Sequence, residues 1–159
     1  RDEEYLEPRK LFDAAGCKIM VASSVTGPVR GFHGTWVTAD RMLADCHGKD
    51  YDAVVFAGGR GVKVYFDDPG AHRLAREAVQ SGKVLAAICS APGILANAGV
   101  LHDVAATSFE TERPLLVAKG AVLDTSKPIV RCGRIVTGEG AAASTAFGRE
   151  VLKTLGLPA

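Results

Sequence analysis

With 159 residues, 47% of them hydrophobic, the chain is long enough for one domain whose core needs neither disulfide nor metal. Its 19 basic and 18 acidic residues are spread along the chain and leave a formal net charge of +1, which excludes an electrostatic footprint for nucleic acid or an anionic membrane. No apolar run reaches the roughly 18 residues of a membrane span and no charged-then-apolar leader precedes the first element, so a soluble, cytoplasmic protein is expected.

In chain order, Tyr5, Leu6, Leu11, Phe12 and Ala15 fall on one side of a helix predicted over Glu4–Ala15, which Gly16 ends. "KIMVA" (Lys18–Ala22) reads as a buried strand. Between Ser23 and Met42, the turn residues Gly27, Pro28, Gly31 and Gly34 interrupt short β-type runs and predict an irregular hairpin, followed by a connection carrying Cys46 and His47. "YDAVVFA" (Tyr51–Ala57) is a second strand and stops at Gly58-Gly59. Asp68-Pro69 supplies an N-cap and a first-turn proline for a helix striped by Leu74, Ala75, Ala78 and Val79, ending near Ser81-Gly82.

"VLAAI" (Val84–Ile88) is the next strand, and a helix over Ala91–Ala98 follows it and stops at Gly99. A short strand over Val104–Thr107, a helix over Glu110–Lys119 and a short strand in "AVLD" come next. "PIVRCGRIVTG" predicts a hairpin turning at Cys132-Gly133. The last helix, Ala141–Leu155, places Phe147, Val151 and Leu155 at four-residue spacing. Strands alternating with helices imply an α/β fold, a parallel sheet covered on both faces, and no repeat or linker divides residues 1–159 into two domains.

The four cysteines, Cys17, Cys46, Cys89 and Cys132, form no CxxC pair and no Cys/His group at ligand spacing, so no metal site is expected. Cys89 stands where a strand turns directly into a helix. So tight a reversal strains the apex residue and needs small neighbours, which Ala87 and Ala91 supply. The apex side chain then lies at the carboxyl end of the sheet, beside a helix amino end, where the dipole and free N–H groups favour a thiolate and a depressed thiol pKa. The plain alternative is a buried cysteine acting as a small hydrophobe. Gly58 and Gly59 end the preceding strand, so their N–H groups, with that of Ser90, can form an anion pocket beside Cys89, although a Gly-Gly pair is often only a turn.

The segment "AAICSAPGILANAGVL", with "DAVVFAGG" and "GKVLAA" before it and "GRIVTGEGAAASTAFGREVL" at the end, resembles the DJ-1/PfpI superfamily over nearly the whole chain. The resemblance implies a flavodoxin-like fold of the class I glutamine amidotransferase type, a reactive cysteine at Cys89 and a glutamate, Glu4, four residues ahead of Pro8. It also implies a further central strand ahead of Glu4, which this sequence is expected to lack. A carboxyl held against a thiolate should stay protonated and donate to sulfur. Without the resemblance, the better reading of Glu4 is as one of the helix-dipole acids Asp2, Glu3, Glu4 and Glu7.

Two departures narrow the chemistry. The peptidase branch has a histidine directly after the cysteine, where this chain has Ser90, and the DJ-1 branch has one in the region matching Ala106–Glu112, where this chain has none. His33, His47, His72 and His102 all have ordinary structural or solvated readings. A Cys/Glu pair without a histidine suits small electrophilic carbonyls, in the manner of glyoxalases and deglycases or a related hydrolase or amidase, more than peptides. The alternative is a redox-responsive or chaperone-like stress protein that senses oxidation at Cys89. No cofactor is expected, because "GGRGVKV" does not make a dinucleotide-binding glycine pattern. The resemblance implies a small-molecule substrate and a homodimer or higher oligomer, and Cys17, Cys46 and Cys132 are expected to react less than Cys89.

Overall fold

The computed structural model describes residues 1–159. Its centre is β6 (Val84–Ile88), whose five residues are all fully buried. An unbroken apolar run of this kind can only be a strand covered on both faces. β6 lies between β5 (Ala53–Phe56) and β10 (Ile135–Gly138), parallel to both, and β9 (Ile129–Cys132) adds antiparallel to β10. The pleat divides the core. Leu85 and Ala87 face a layer built by α2 (Pro69–Gln80), α3 (Pro92–Asn97) and α4 (Arg113–Ala118), with Leu74, Ala78, Ile94 and Leu116. Val84, Ala86 and Ile88 face α5 (Ser144–Leu155), which offers Phe147 and Val151.

α1 (Asp2–Ala14) packs on α5 at Gly148, where the missing side chain lets the two helices approach. A methyl group at Gly148 would lie 2.9 Å from Leu11 and 3.0 Å from the Pro8 backbone. This contact fixes the height of Glu4, one helical turn before Pro8. Phe147, fully buried, fills the space beneath the end of β6. Phe147→Ala is therefore expected to cost about 3–5 kcal/mol, read as a lower urea midpoint with an unchanged slope.

Four segments differ from their sequence readings. Lys18–Val21 joins no ladder, and only β1 (Ala22–Ser23) pairs, parallel to β4 (Arg41–Met42). Val21 alone has backbone partners, its carbonyl accepting from the Asp40 and Arg41 N–H groups at 2.8 and 3.2 Å, so the run that reads as a buried strand lies half-buried beside a ladder rather than in one. The predicted helix over 110–119 opens as a 3-10 turn at Glu110–Glu112 before α4, which places Pro114 in the first turn of α4, where its missing N–H costs no helical bond. α5 opens in the same way over Ala141–Ala143. The hairpin of β9 and β10 turns at Gly133-Arg134, since Cys132 still pairs with Ile135, and Gly133 supplies the positive φ of 59°.

The early hairpin is β2 (Gly27–Arg30) with β3 (Trp36–Ala39). β7 (Ala105–Ala106) and β8 (Val122–Leu123) form a separate short parallel pair. No helix is long and apolar enough to cross a membrane.

Candidate active site

Cys89 sits one residue past β6 with φ of 63°, a region that L-residues other than glycine enter at a cost. Three backbone contacts hold it there. Its N–H donates to the Gly138 carbonyl at 2.9 Å, its carbonyl accepts from the Phe109 N–H at 2.7 Å, and the Ala91 N–H caps Ile88 at 3.1 Å. The strain is thus fixed by β10 on one side and by the segment after β7 on the other. Ala87 and Ala91 are fully buried, as so tight a reversal requires.

Glu4 reaches the same point from α1. Its side chain is 1% exposed, and neither carboxyl oxygen makes a hydrogen bond of good geometry. Gly58 shows how tightly the groups meet: a methyl group there would lie 2.6 Å from Glu4 Oε2, 2.7 Å from Cys89 Cβ and 2.5 Å from the Ile88 carbonyl oxygen. Only glycine fits. Burial raises the pKa of Glu4, against the Cys89 thiol and the Gly58 N–H that face it.

The thiol does not show the depressed pKa expected from a helix amino end. Burial first, then the charge of Glu4, push Cys89 up to about 11, against the N–H and hydroxyl of Ser90. α3 has only six residues and no side-chain cap, so its dipole is weak, and Cys89 as a whole is 9% exposed. The two groups are an acid pair in which one negative charge opposes the next.

The four acids at the start of α1 part company. Glu7 pairs with Lys10 at 2.9 Å, and Glu3 with Arg1 at 3.2 Å. Asp2 accepts from the His33 and Thr35 N–H groups at 2.8 and 2.9 Å, clasping the tip between β2 and β3, and the Thr35 side chain first, then these bonds, hold its pKa well below 3.8. This contribution to stability is present above pH 3.8 and is lost as pH falls through the folded value. Asp2→Ala should raise hydrogen exchange at the His33 and Thr35 amides by roughly tenfold or more and leave β6 protected, as a local opening does.

Gly59, with φ of 112°, packs against Arg1 and leads into the 3-10 turn Arg60–Tyr65, so of the two glycines only Gly58 touches the pair. No histidine stands beside Cys89. His33 faces Glu3 at 3.7 Å, His47 bonds Glu77 at 3.1 Å, His72 bonds the Phe66 carbonyl oxygen at 2.6 Å, and His102 faces Asp103 at 3.4 Å. Cys46 is buried with its thiol toward the Met42 carbonyl at 3.5 Å.

One group escaped the sequence reading. Glu112, 3% exposed, accepts from the Ser90 hydroxyl at 3.0 Å and from the Thr111 hydroxyl, and Lys63 Nζ lies 3.4 Å from its other oxygen. The only sequence signal was a polar stretch, "TSFETE", that could as well have been solvated.

The profile of the DJ-1/PfpI family matches residues 1–154. Among solved structures, the ThiJ/PfpI domain protein of Brachyspira murdochii superposes with a TM-score of 0.95 at 32% identity, over 98% of this chain and 90% of that one. An uncharacterised protein of Methanocaldococcus jannaschii is 33% identical, over 98% of this chain and 77% of its own length. A Pyrococcus furiosus protein named a deglycase is 30% identical, over 97% of this chain and 92% of its own.

Proposed function

The chain belongs to the DJ-1/PfpI family, and on that premise we propose that it is a Cys89-dependent enzyme acting on small reactive carbonyl compounds, in the manner of a glyoxalase or deglycase. The observation that carries this reading is the meeting of a strained cysteine with a buried carboxyl that has no other partner. A carboxyl kept in that state at the cost of desolvation is suited to moving protons at sulfur and at a substrate carbon. The deglycase relative supports the substrate class.

For a 2-oxoaldehyde the steps balance as follows. Cys89 sulfur adds to the aldehyde carbon and the carbonyl oxygen takes a proton, giving a hemithioacetal. Glu4 as its carboxylate removes the proton on that carbon and returns it to the neighbouring carbon, while the hydroxyl proton passes to the neighbouring oxygen, which turns the hemithioacetal into a thioester of a 2-hydroxy acid. Water releases the acid and regenerates the thiol. Methylglyoxal plus water thus becomes lactate, with no redox partner. The test is lactate formation from methylglyoxal without glutathione. Lactate no faster than in buffer, together with no release of amines from glyoxal-modified amino acids, would sink the proposal.

The same unpartnered carboxyl favours a second reading, oxidation at Cys89, because a protonated Glu4 can donate to an oxidised sulfur. Mild peroxide followed by peptide mass spectrometry should then place oxidation at Cys89. An even spread over Cys17, Cys46, Cys89 and Cys132 would exclude it.

A further inference from the structure

We propose that Lys63 selects the substrate: it pairs with a carboxylate carried near the reacting carbonyl, so that acidic 2-oxoaldehydes are preferred to neutral ones. The inference deepens the reading of Cys89 as a nucleophile and rests on it.

Lys63 is the exposed end of a chain of contacts that begins at Cys89. It stands in the 3-10 turn Arg60–Tyr65, which follows directly on Gly58-Gly59, and a methyl group at Gly58 would lie 2.7 Å from Cys89 Cβ. From that turn its ammonium reaches Glu112 Oε1 at 3.4 Å. Glu112 closes the turn entered through Phe109, whose N–H holds the Cys89 carbonyl at 2.7 Å. The other oxygen of Glu112 accepts at 3.0 Å from the hydroxyl of Ser90, the chain neighbour of Cys89. The ion pair thus joins two segments that both adjoin the nucleophile.

The two partners differ in what they show to solvent. The Glu112 side chain is 3% exposed and that of Lys63 59%, so a molecule approaching along the pair meets the ammonium rather than the carboxylate. Glu112 spends its lone pairs on Ser90, Thr111 and Lys63, whereas Lys63 has no second partner and keeps N–H donors to spare. Arg60 adds a further cation to the same turn, stacked on Phe32 at 5.4 Å and in no ion pair, and the turn has no acid of its own. Two cations and one carboxylate leave a positive surplus, which draws an anion toward the site. A surplus of a single charge suits a carboxylate, which a phosphate dianion would exceed.

Methylglyoxal is neutral and offers Lys63 nothing to bind. A 2-oxoaldehyde that ends in a carboxylate does, and its chemistry at Cys89 is unchanged, because the added group takes no part in bond making. 4,5-Dioxopentanoate plus water would become 2-hydroxyglutarate, with no redox partner.

The test is kcat/KM for 4,5-dioxopentanoate divided by that for its methyl ester, which keeps the 2-oxoaldehyde and lacks the charge. The ratio is taken within each variant, so a general loss of activity cancels. The wild type should favour the acid by about tenfold or more, the scale of one hydrogen bond to a charged group, with the difference carried by KM. Lys63→Met keeps the stem and removes the charge, and should bring the ratio to about one or below. Lys63→Arg should preserve the preference, and Lys63→Glu should reverse it. A wild-type ratio near one, or a preference that survives in Lys63→Met, overturns the inference and leaves Cys89 standing as the nucleophile. No turnover of the acid, the ester or methylglyoxal by the wild type overturns the reading of Cys89 and the inference with it.

Discussion

Cys89→Ser is expected to lower kcat/KM for methylglyoxal by about three orders of magnitude or more, with the midpoint of thermal unfolding little changed. The substitution exchanges sulfur for oxygen at a position whose cost is set by backbone, since φ of 63° is held by bonds to Gly138 and Phe109 that serine leaves intact. What changes is the nucleophile. A hydroxyl ionises far less readily than a thiol, and no histidine stands by to take its proton. Serine at Cys17, Cys46 or Cys132 serves as the control, because the described contacts of these residues include neither Glu4 nor Ser90. Of the three, Cys46→Ser should disturb stability, since its thiol is buried against the Met42 carbonyl. Full turnover by Cys89→Ser would assign any activity to some other group and end the reading.

The elbow was legible in the sequence because its constraints are local. A buried run, an abrupt stop, small residues on both sides and a proline opening the helix all lie within Val84–Pro92. Gly58 was legible for a related reason, as a strand end with no side chain, although the close approach that excludes a methyl there depends on three separate elements. What could not be read depends on distance across the fold. Asp2 and Glu4 are two residues apart on one helix and were equally plausible dipole acids, yet one clasps a hairpin and the other meets a thiol. Glu112 reads as a solvated first-turn acid until the chain from Cys89 onward folds back and the Phe109 N–H bonds the Cys89 carbonyl. Lys18–Val21 carries a strand's residues, but of these only Val21 finds backbone partners, in the N–H groups of Asp40 and Arg41. The direction of the thiol pKa was misread because a helix end was weighed without the burial and the carboxyl that oppose it.

Glu4→Gln is expected to move two measurements in opposite senses. The Cys89 pKa should fall from about 11, because the substitution removes the charge that repels a thiolate, while burial, the larger cause of the rise, stays in place. Turnover of methylglyoxal should fall all the same, by about 10²–10⁴-fold, since an amide cannot carry a proton between two carbons. A more acidic thiol with less catalysis separates a proton-moving Glu4 from a merely charged neighbour. The pH profile of stability gives a third reading. Burial raises the pKa of Glu4 above 4.5, so its contribution to the folded state is fully present below that value and is lost as pH rises through the folded pKa. The wild type should therefore lose stability over that range, relative to Glu4→Gln, in which the slope is absent. An unchanged alkylation profile together with an unchanged turnover would return Glu4 to the set of helix-dipole acids and leave the buried carboxyl oxygens without a function.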